Sequence, residues 1–346
     1  MILPRTDEQP GTSQSGPNRL VSDLLARDLR AGDLLAGDLR AEDRPGIPAA
    51  RPILPILPEG EAILQPPLDN TPNDAPNDEV PSRIPHLGHA ILFIVITAAM
   101  LLFTQLILVG LHHPTVKPRT ADSISPKLLL ASEAATYVAT LAISWFIFPI
   151  LWRRSFTYGL QVNAPAAGRN ALRLIPIGIT VSFIVQAVSS LITMPKSIPM
   201  DQFFRTPSDV WLITAFGTLL APLFEEVLFR GFLLPGFAIA YDWLSLPRIP
   251  AAREQWNSTN QITFPALAFS AILTSILFAL LHGEQTAFTW PVLLLLFCVS
   301  LILTAVRIRL RSVLASTLVH ASYNFAVFFT AFIATGGYRH LDHLTH

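Results

Sequence analysis

From Ala90 to near its C-terminus the chain consists of long apolar runs, each close to the roughly 20 residues that an α-helix needs to cross a bilayer. A backbone in lipid must satisfy its own hydrogen bonds, so such runs predict helices. The chain is 51% hydrophobic and 14% charged, with a mean hydropathy of +0.47, whereas soluble domains carry about 25% charged residues. The sequence therefore predicts an all-α, polytopic membrane helix bundle of about seven or eight transmembrane helices. The predicted spans are 90–111, 134–152, 174–194, 210–235, 264–281, 290–306 and 312–335.

Two features bear on the number of spans and on their orientation. The fourth run stays apolar to Tyr241 and contains Pro222, which predicts either a kinked helix or a helix followed by a re-entrant segment. Basic residues concentrate on the cytoplasmic side of a membrane protein, and here they cluster after the second and after the sixth span. With seven spans both clusters are cytoplasmic if the N-terminus lies inside and the C-terminus outside, an orientation that basic residues in the first loop oppose. The clusters are Arg153, Arg154, Arg169 and Arg173, then Arg307, Arg309 and Arg311, and the opposing residues are Lys117, Arg119 and Lys127.

Residues 1–84 have a different composition from the rest of the chain. They contain 8 Arg against 14 Asp and Glu, and proline-rich stretches such as PILPILP, which is typical of a disordered tail. Residues 24–33 and 34–43 are a duplication identical at 8 of 10 positions, which we interpret as a linker rather than as a surface-binding amphipathic helix. The N-terminus lacks a basic segment followed by an apolar one, so we expect no cleavable signal peptide. The single cysteine, Cys298, excludes an intramolecular disulfide.

The stretch PLFEEVLFRGFLLP, residues 222–235, places three charges in an otherwise apolar run. A charge at the centre of a membrane helix costs on the order of 3 kcal/mol, and such residues usually face a cavity and carry function. Glu226 and Arg230 are four residues apart with the acid first, which favours an ion pair on one helix face. Glu225 lies about 100° around the helix and has no local counter-charge, so it is suited to act as a general base. The simpler alternative is a helix-packing ion pair with Glu225 directed toward lipid headgroups.

Two further pairs of polar or aromatic residues occur at helical spacing in later runs. Phe278 and His282 are four residues apart in ILFALLHGE, and His320 and Asn324 are four apart in LVHASYNFAVF. One membrane histidine usually forms a helix–helix hydrogen bond, but these groups together with the glutamate pair need one shared polar cavity. Such a cavity would supply a base for water, a group that orients the water, and donors for a tetrahedral oxyanion.

These three motifs together resemble the signature of the CPBP intramembrane metalloprotease family. That family includes the type II CAAX prenyl endopeptidases and the Abi and lysostaphin-resistance-like proteins. The resemblance covers residues 205–335, whereas the first three spans match only in being apolar. We therefore divide the chain into a disordered tail (1–84), N-terminal transmembrane helices (85–200), a CPBP-like protease core (205–335) and a short C-terminal tail (336–346). The motifs are Glu225-Glu226-x-x-x-Arg230, Phe278-x-x-x-His282 and His320-x-x-x-Asn324.

The resemblance implies an intramembrane endopeptidase that hydrolyses peptide bonds with a glutamate-activated water. By this analogy Glu225, aided by His282, activates the water, and His320 and Asn324 hold the oxyanion. Glu226 and Arg230 fix the site, with Phe278 in support. The family is often described as metalloproteases, and His282, His320 and Glu225 are the ligands if zinc is used. Since the sequence lacks a His-Glu-x-x-His helix, we favour a metal-independent mechanism with no assigned metal site.

The resemblance also sets expectations for partners and location. We expect a peptide or protein substrate, prenylated if the chain acts as a CAAX protease, together with contact to membrane lipid and no nucleic acid. The expected location is the plasma membrane of a bacterium. Two alternatives remain open: a non-catalytic immunity or scaffold protein of the same fold, and a proton-coupled transporter that uses Glu133, Glu225 and Glu226 as relays. Glu133 lies outside the motifs, and we interpret it as an interfacial charge.

Helix lengths predict one conflict within this scheme. At 1.5 Å per residue, Glu225 lies about 20 Å along its helix from the outer end, and His320 lies at a comparable depth. His282, at the outer end of the fifth span, is expected to lie far closer to the surface. A shared cavity then requires that the fifth helix be tilted or broken, or that the orientation be different.

Overall fold

The computed structural model describes residues 83–111, 125–193, 195 and 197–344. Its main elements are seven long helices that we number α1 to α7 in chain order. Among the described residues there is no β-strand, which confirms the predicted all-α class. The helices are α1 (Leu87–Leu111), α2 (Pro126–Trp152), α3 (Ala164–Ser189), α4 (Pro207–Ser245), α5 (Phe264–Leu281), α6 (Trp290–Leu310) and α7 (Val313–Ala334). Shorter helical segments are Phe156–Gly159, Pro199–Phe204, Pro250–Ser258, Glu284–Thr286 and Leu341–Leu344.

All seven helices are long and apolar enough to cross a membrane, so the predicted set of spans is confirmed with seven members in the described part of the chain. The helices α2 and α3 begin 8 and 10 residues before the predicted starts. Their starts are set by side-chain caps, since the hydroxyl of Ser125 and the amide oxygen of Asn163 accept from backbone N–H groups of the first turn. The first part of each helix is charged, with Lys127 in α2 and with Arg169 and Arg173 in α3. Because the predicted spans contain only apolar runs, they begin after these charges.

Helix α4 is continuous through Pro222 and Pro235, so of the two predicted alternatives the re-entrant segment is wrong. It runs for 39 residues, which corresponds to roughly 58 Å, about twice the thickness of a bilayer's hydrocarbon core. Two stretches of it, Phe216–Leu220 and Val227–Leu233, are π-helical. Single π-turns inside α-helices occur frequently at functional sites, and these two flank the adjacent glutamates.

Close helix packing at small residues holds the bundle together. The most extensive helix pair is α3 with α7, and Gly178 of α3 lies at its centre. A Cβ atom on Gly178 would lie 2.3 Å from the carbonyl oxygen of Val319, so only glycine allows the two backbones to approach this closely. Large apolar side chains on the outer faces stay exposed, for example Phe146 at 71% and Leu172 at 90%, as expected of surfaces that face lipid.

Described residues that precede α1 and follow α7 in the chain also pack against the bundle. Arg83 stacks on the ring of Trp256 and donates to the Trp256 carbonyl at 2.8 Å. Tyr338, in the predicted C-terminal tail, is buried, and its hydroxyl donates to the Phe328 carbonyl at 3.0 Å. The rest of the predicted disordered tail, including the duplication, lies outside the described residues except for Arg83 and Ile84. The division into 85–200 and 205–335 stays a prediction.

Candidate active site

Glu226 and Arg230 form the buried ion pair that their spacing predicts. The Arg230 Nη1 donates to Glu226 Oε1 at 2.8 Å, and the two side chains are 1% and 0% exposed. The Nη2 of Arg230 donates to the carbonyl and the hydroxyl of Ser300 on α6, at 2.9 and 2.8 Å. The Ser300 hydroxyl donates in turn to Ser275 of α5 at 3.0 Å. The pair therefore ties three helices together and is inaccessible to a substrate.

His320 is held by Glu226, a contact that the sequence did not indicate. The Nδ1 of His320 lies 3.1 Å from Glu226 Oε1, and because a carboxylate accepts, Nδ1 carries the hydrogen. The Nε2 atom of the same ring faces Glu225, 3.8 Å from Oε2. Glu226 thus binds Arg230 and His320 through one oxygen and sets the orientation of the imidazole.

His282 reaches the same carboxylate from the C-terminal end of α5. Its Nδ1 donates to the Phe278 carbonyl at 2.8 Å, so in the neutral ring Nε2 carries the lone pair. This Nε2 lies 3.8 Å from Glu225 Oε2. The ring of Phe278 lies 4.6 Å from the His282 ring and 5.8 Å from the His320 ring, between centroids. Phe278 therefore supports both histidines.

Asn324 is fixed through the backbone of α4. In the first π-helical stretch the N–H of Ala221 donates to the Phe216 carbonyl, five residues back. Pro222 has no N–H, so it cannot continue this pattern to Gly217. The Asn324 Nδ2 takes the place of the missing donor and lies 2.7 Å from the Gly217 carbonyl oxygen, which leaves its second N–H free of that bond.

The predicted difference in depth between His282 and Glu225 is wrong. Asp242 of α4 accepts hydrogen bonds from the backbone N–H and the hydroxyl of Thr263, the residue before α5. Glu225 lies 17 residues before Asp242 and His282 lies 19 residues after Thr263, so both lie about 25–29 Å from this contact. The predicted difference assumed that the start of α4 and the end of α5 lie at the same depth in the membrane. On the N-terminal side of Glu225, α4 extends for another 18 residues, whereas α5 stops beside Glu225.

These groups surround one cavity of about 540 Å³. Glu225, His282, His320 and Asn324 line it. The Glu225 side chain is 18% exposed, so part of it is accessible from the cavity, whereas its Oε2 atom is enclosed and the Glu226 side chain is fully buried. The structure brings all seven residues of the three motifs together. Their chemical roles stay predictions.

Near the site, the sequence placed the charges of Glu133 and Arg307 incorrectly. Glu133 lines the same cavity instead of lying at a helix-end interface. Glu133 and Tyr137 are four residues apart on one helix face, a spacing that already indicated a contact between the two side chains. Arg307, expected in a cytoplasmic loop, lies inside α6, is 2% exposed, and donates to the Leu160 carbonyl at 3.4 Å. Its buried charge lies near Glu226, a second cation that the sequence gave no reason to place there.

The three residues named for the zinc alternative lie farther apart than the ligands of a bound zinc ion. Bonds of 2.0–2.1 Å in a tetrahedral site put neighbouring ligand atoms about 3.3 Å apart, whereas Glu225 Oε2 is 3.8 Å from each histidine Nε2. Within the described ranges no group of three His, Cys, Asp or Glu side chains is arranged to hold a metal ion.

Comparison with known proteins agrees with the motifs. Residues 207–326 match the family model described as type II CAAX prenyl endopeptidase Rce1-like. The matched segment contains all three motifs, which confirms the resemblance to the CPBP and CAAX protease family. Comparison with curated proteins and with solved structures gave no match. The seven apolar helices are those of an integral membrane protein, and one segment of it is similar to the type II CAAX prenyl endopeptidases.

Proposed function

We propose that the protein is an intramembrane endopeptidase that hydrolyses peptide bonds with a water activated by Glu225. The observation that carries the proposal is the convergence of Glu225 Oε2 with the Nε2 atoms of His282 and His320, each 3.8 Å away, at the wall of one cavity. The Oε2 atom has no hydrogen-bond partner among the described residues. A carboxylate oxygen left unsatisfied between two imidazole nitrogens is suited to receive a water molecule.

In the first step a water between Glu225 and His282 donates one proton to the carboxylate. Its oxygen bonds to the carbonyl carbon of the substrate, and the carbonyl oxygen becomes an oxyanion. The Nε2 of His282 accepts the second hydrogen of the water and aligns it, because the Phe278 carbonyl holds the Nδ1 hydrogen. The C–N bond then breaks, and the proton on Glu225 passes to the leaving nitrogen. The products are a carboxylic acid and an amine.

The oxyanion is stabilised from α7. Asn324 has one N–H in contact with Gly217, and the other is available to the oxyanion. His320 becomes a second donor when Nε2 is protonated, and Glu226 at Nδ1 stabilises the resulting imidazolium. Donors that are held in place before the reaction stabilise developing charge most effectively. In this scheme Arg230 and Glu226 act as positioning residues.

The substrate is a peptide or protein segment that reaches the cavity from the membrane. Its finer class, a prenylated C-terminal peptide, follows from similarity to the CAAX prenyl endopeptidases. Suitable probes are therefore a farnesylated CAAX peptide and the same peptide without the lipid. Preference for the farnesylated peptide would support the CAAX assignment, and equal cleavage of both would limit the function to general intramembrane proteolysis.

The proposal is tested with the full-length protein in liposomes by mass spectrometry of these peptides. The variant Glu225→Gln keeps the size of the side chain and loses the base, so we expect cleavage to fall by at least about 100-fold. The matched control is Glu254→Gln, which removes an exposed carboxylate and should cleave like the wild type. Wild-type cleavage rates in Glu225→Gln would contradict the mechanism. A chelator arm tests the zinc alternative, since loss of cleavage that added zinc restores would support it.

A further inference from the structure

Glu133 is an acidic side chain in the cavity that the proposed mechanism does not use. It lies on α2, and α2 contributes no residue to the three motifs. The Tyr137 hydroxyl donates to its Oε1 at 2.9 Å, and both residues line the cavity together with Glu225. Its Oε2 has no hydrogen-bond partner in the described part of the chain and is not enclosed by protein. One oxygen of Glu133 is therefore held, and the other is available to a ligand.

The Glu133 carboxylate is held in place through the ring of Tyr137. That ring stacks on Phe224 with centroids 3.8 Å apart and planes at 5°, and it lies 5.6 Å from Phe216. Phe224 immediately precedes Glu225, so the stack fixes α2 against the part of α4 that carries the proposed base. A rigid carboxylate next to a reacting centre can discriminate between substrates because its hydrogen-bond geometry is set before binding.

The charged side chains that line the cavity, apart from its two histidines, all have the same sign. Three carboxylates line it, those of Glu133, Glu225 and Glu284, and the described lining residues include no Lys or Arg. A cleft lined by one sign of charge concentrates ligands of the opposite sign.

We propose that Glu133 determines substrate specificity by binding the ammonium or guanidinium group of a Lys or Arg side chain close to the scissile bond. The inference rests on the proposed endopeptidase activity and names a substrate class for it. Glu133 is the best of the available carboxylates for this role. Glu225 is needed as the base, and Glu284 is exposed in the turn after α5, where solvent screens its charge. A charge-assisted hydrogen bond in a partly buried site contributes roughly 10- to 100-fold in affinity.

The decisive variant is Glu133→Gln, because glutamine still accepts the Tyr137 hydroxyl and loses only the charge. Glu133→Asp retains the charge, and Glu254→Gln is the control for loss of a carboxylate outside the cavity. The probes are two capped pentapeptides that differ at one position, acetyl-Leu-Leu-Lys-Leu-Leu-amide and the same peptide with norleucine in place of lysine. Binding is measured in nanodiscs on the Glu225→Gln background, so that hydrolysis does not interfere.

We expect the lysine peptide to bind at least about tenfold more tightly than the norleucine peptide. This preference should vanish in Glu133→Gln and persist in Glu133→Asp and Glu254→Gln. Equal binding of the two peptides, or a preference that survives Glu133→Gln, would overturn the proposal whatever the cleavage result.

A second measurement uses the protein with Glu225 intact and a library of peptides from digested cell extract. Cleaved bonds should be enriched in Lys or Arg within three positions, and Glu133→Gln should abolish that enrichment. Cleavage without such enrichment contradicts the specificity role. Charge-selective binding together with no cleavage of any peptide would leave the cation site in place and refute the endopeptidase, so the two failures are distinguishable.

Discussion

Replacing Arg230 by methionine should destabilise the whole bundle. Methionine preserves most of the apolar stem but removes three hydrogen bonds, one to Glu226 and two to Ser300, all 2.8–2.9 Å long. It leaves the Glu226 carboxylate, which is 0% exposed, without its cation. Removing one partner of a buried ion pair costs about 3–5 kcal/mol, which corresponds to a fall in Tm of roughly 4–7 °C for a protein of 346 residues.

A double-variant cycle separates the buried charge from the other lost contacts. Glu226→Gln removes the charge, and its amide oxygen still accepts from His320. In Glu226→Gln/Arg230→Met no ion of the pair is left, so we expect the double variant to recover at least half of the stability that Arg230→Met loses. The matched control is Arg309→Met, which removes an exposed arginine of α6 and should change stability by less than about 0.5 kcal/mol.

The assay is reversible unfolding by SDS in mixed micelles, followed by the fluorescence of the protein's tryptophans. Two results would refute the reasoning. If Arg230→Met costs less than about 1 kcal/mol, the pair does not hold the helices together. If the double variant is as unstable as the single one, the loss comes from the Ser300 contacts, and the uncompensated Glu226 carboxylate is not its cause.

Two further predictions concern helix packing and the π-helical stretch. Gly178→Ala should cost about 1–3 kcal/mol in the same assay because its Cβ would meet the backbone of α7. The control is Gly168→Ala on the same helix, whose Cβ meets no atom within 4 Å and which should not destabilise the protein. Equal stabilities of the two variants would refute the close approach of α3 and α7. Pro222→Ala supplies an N–H that competes with Asn324 for the Gly217 carbonyl, so peptide cleavage should fall at least about tenfold while the free energy of unfolding does not fall. Wild-type cleavage in Pro222→Ala would show that the Gly217 contact does not position Asn324 for the reaction.

The sequence was sufficient to predict those features that depend on the residues of one helix alone. The ion pair of Glu226 and Arg230 follows from a four-residue spacing on one face, and each of the seven helices contains an apolar run. The starts of α2 and α3 were harder to locate, because capping depends on one side chain and one backbone N–H, whereas hydropathy averages over many residues.

Contacts between helices could not be predicted, because the spacing of residues within one helix does not show which other helix it packs against. His320 and Glu226 are 94 residues apart, and nothing in either motif states that they share a hydrogen bond. Glu133 was assigned to an interface because it lies near the predicted start of the second span. Its role in the cavity depends on Tyr137 stacking on α4, a contact that only the packed bundle creates.

The unequal lengths of α4 and α5 explain how water reaches a bond inside a membrane protein. Glu225 is the 19th of the 39 residues of α4, so the base lies at the middle of the longest helix. Because α5 ends beside it, the last carbonyls of α5 lie at this depth and need donors. His282 and Gly283 supply two backbone donors, to Ala279 and Leu280, and the His282 ring supplies a third to Phe278. A polar helix end beside Glu225 gives water a favourable environment where lipid would otherwise exclude it. In the proposed mechanism, hydrolysis at the middle of α4 therefore depends on where α5 stops as much as on which residues α5 carries.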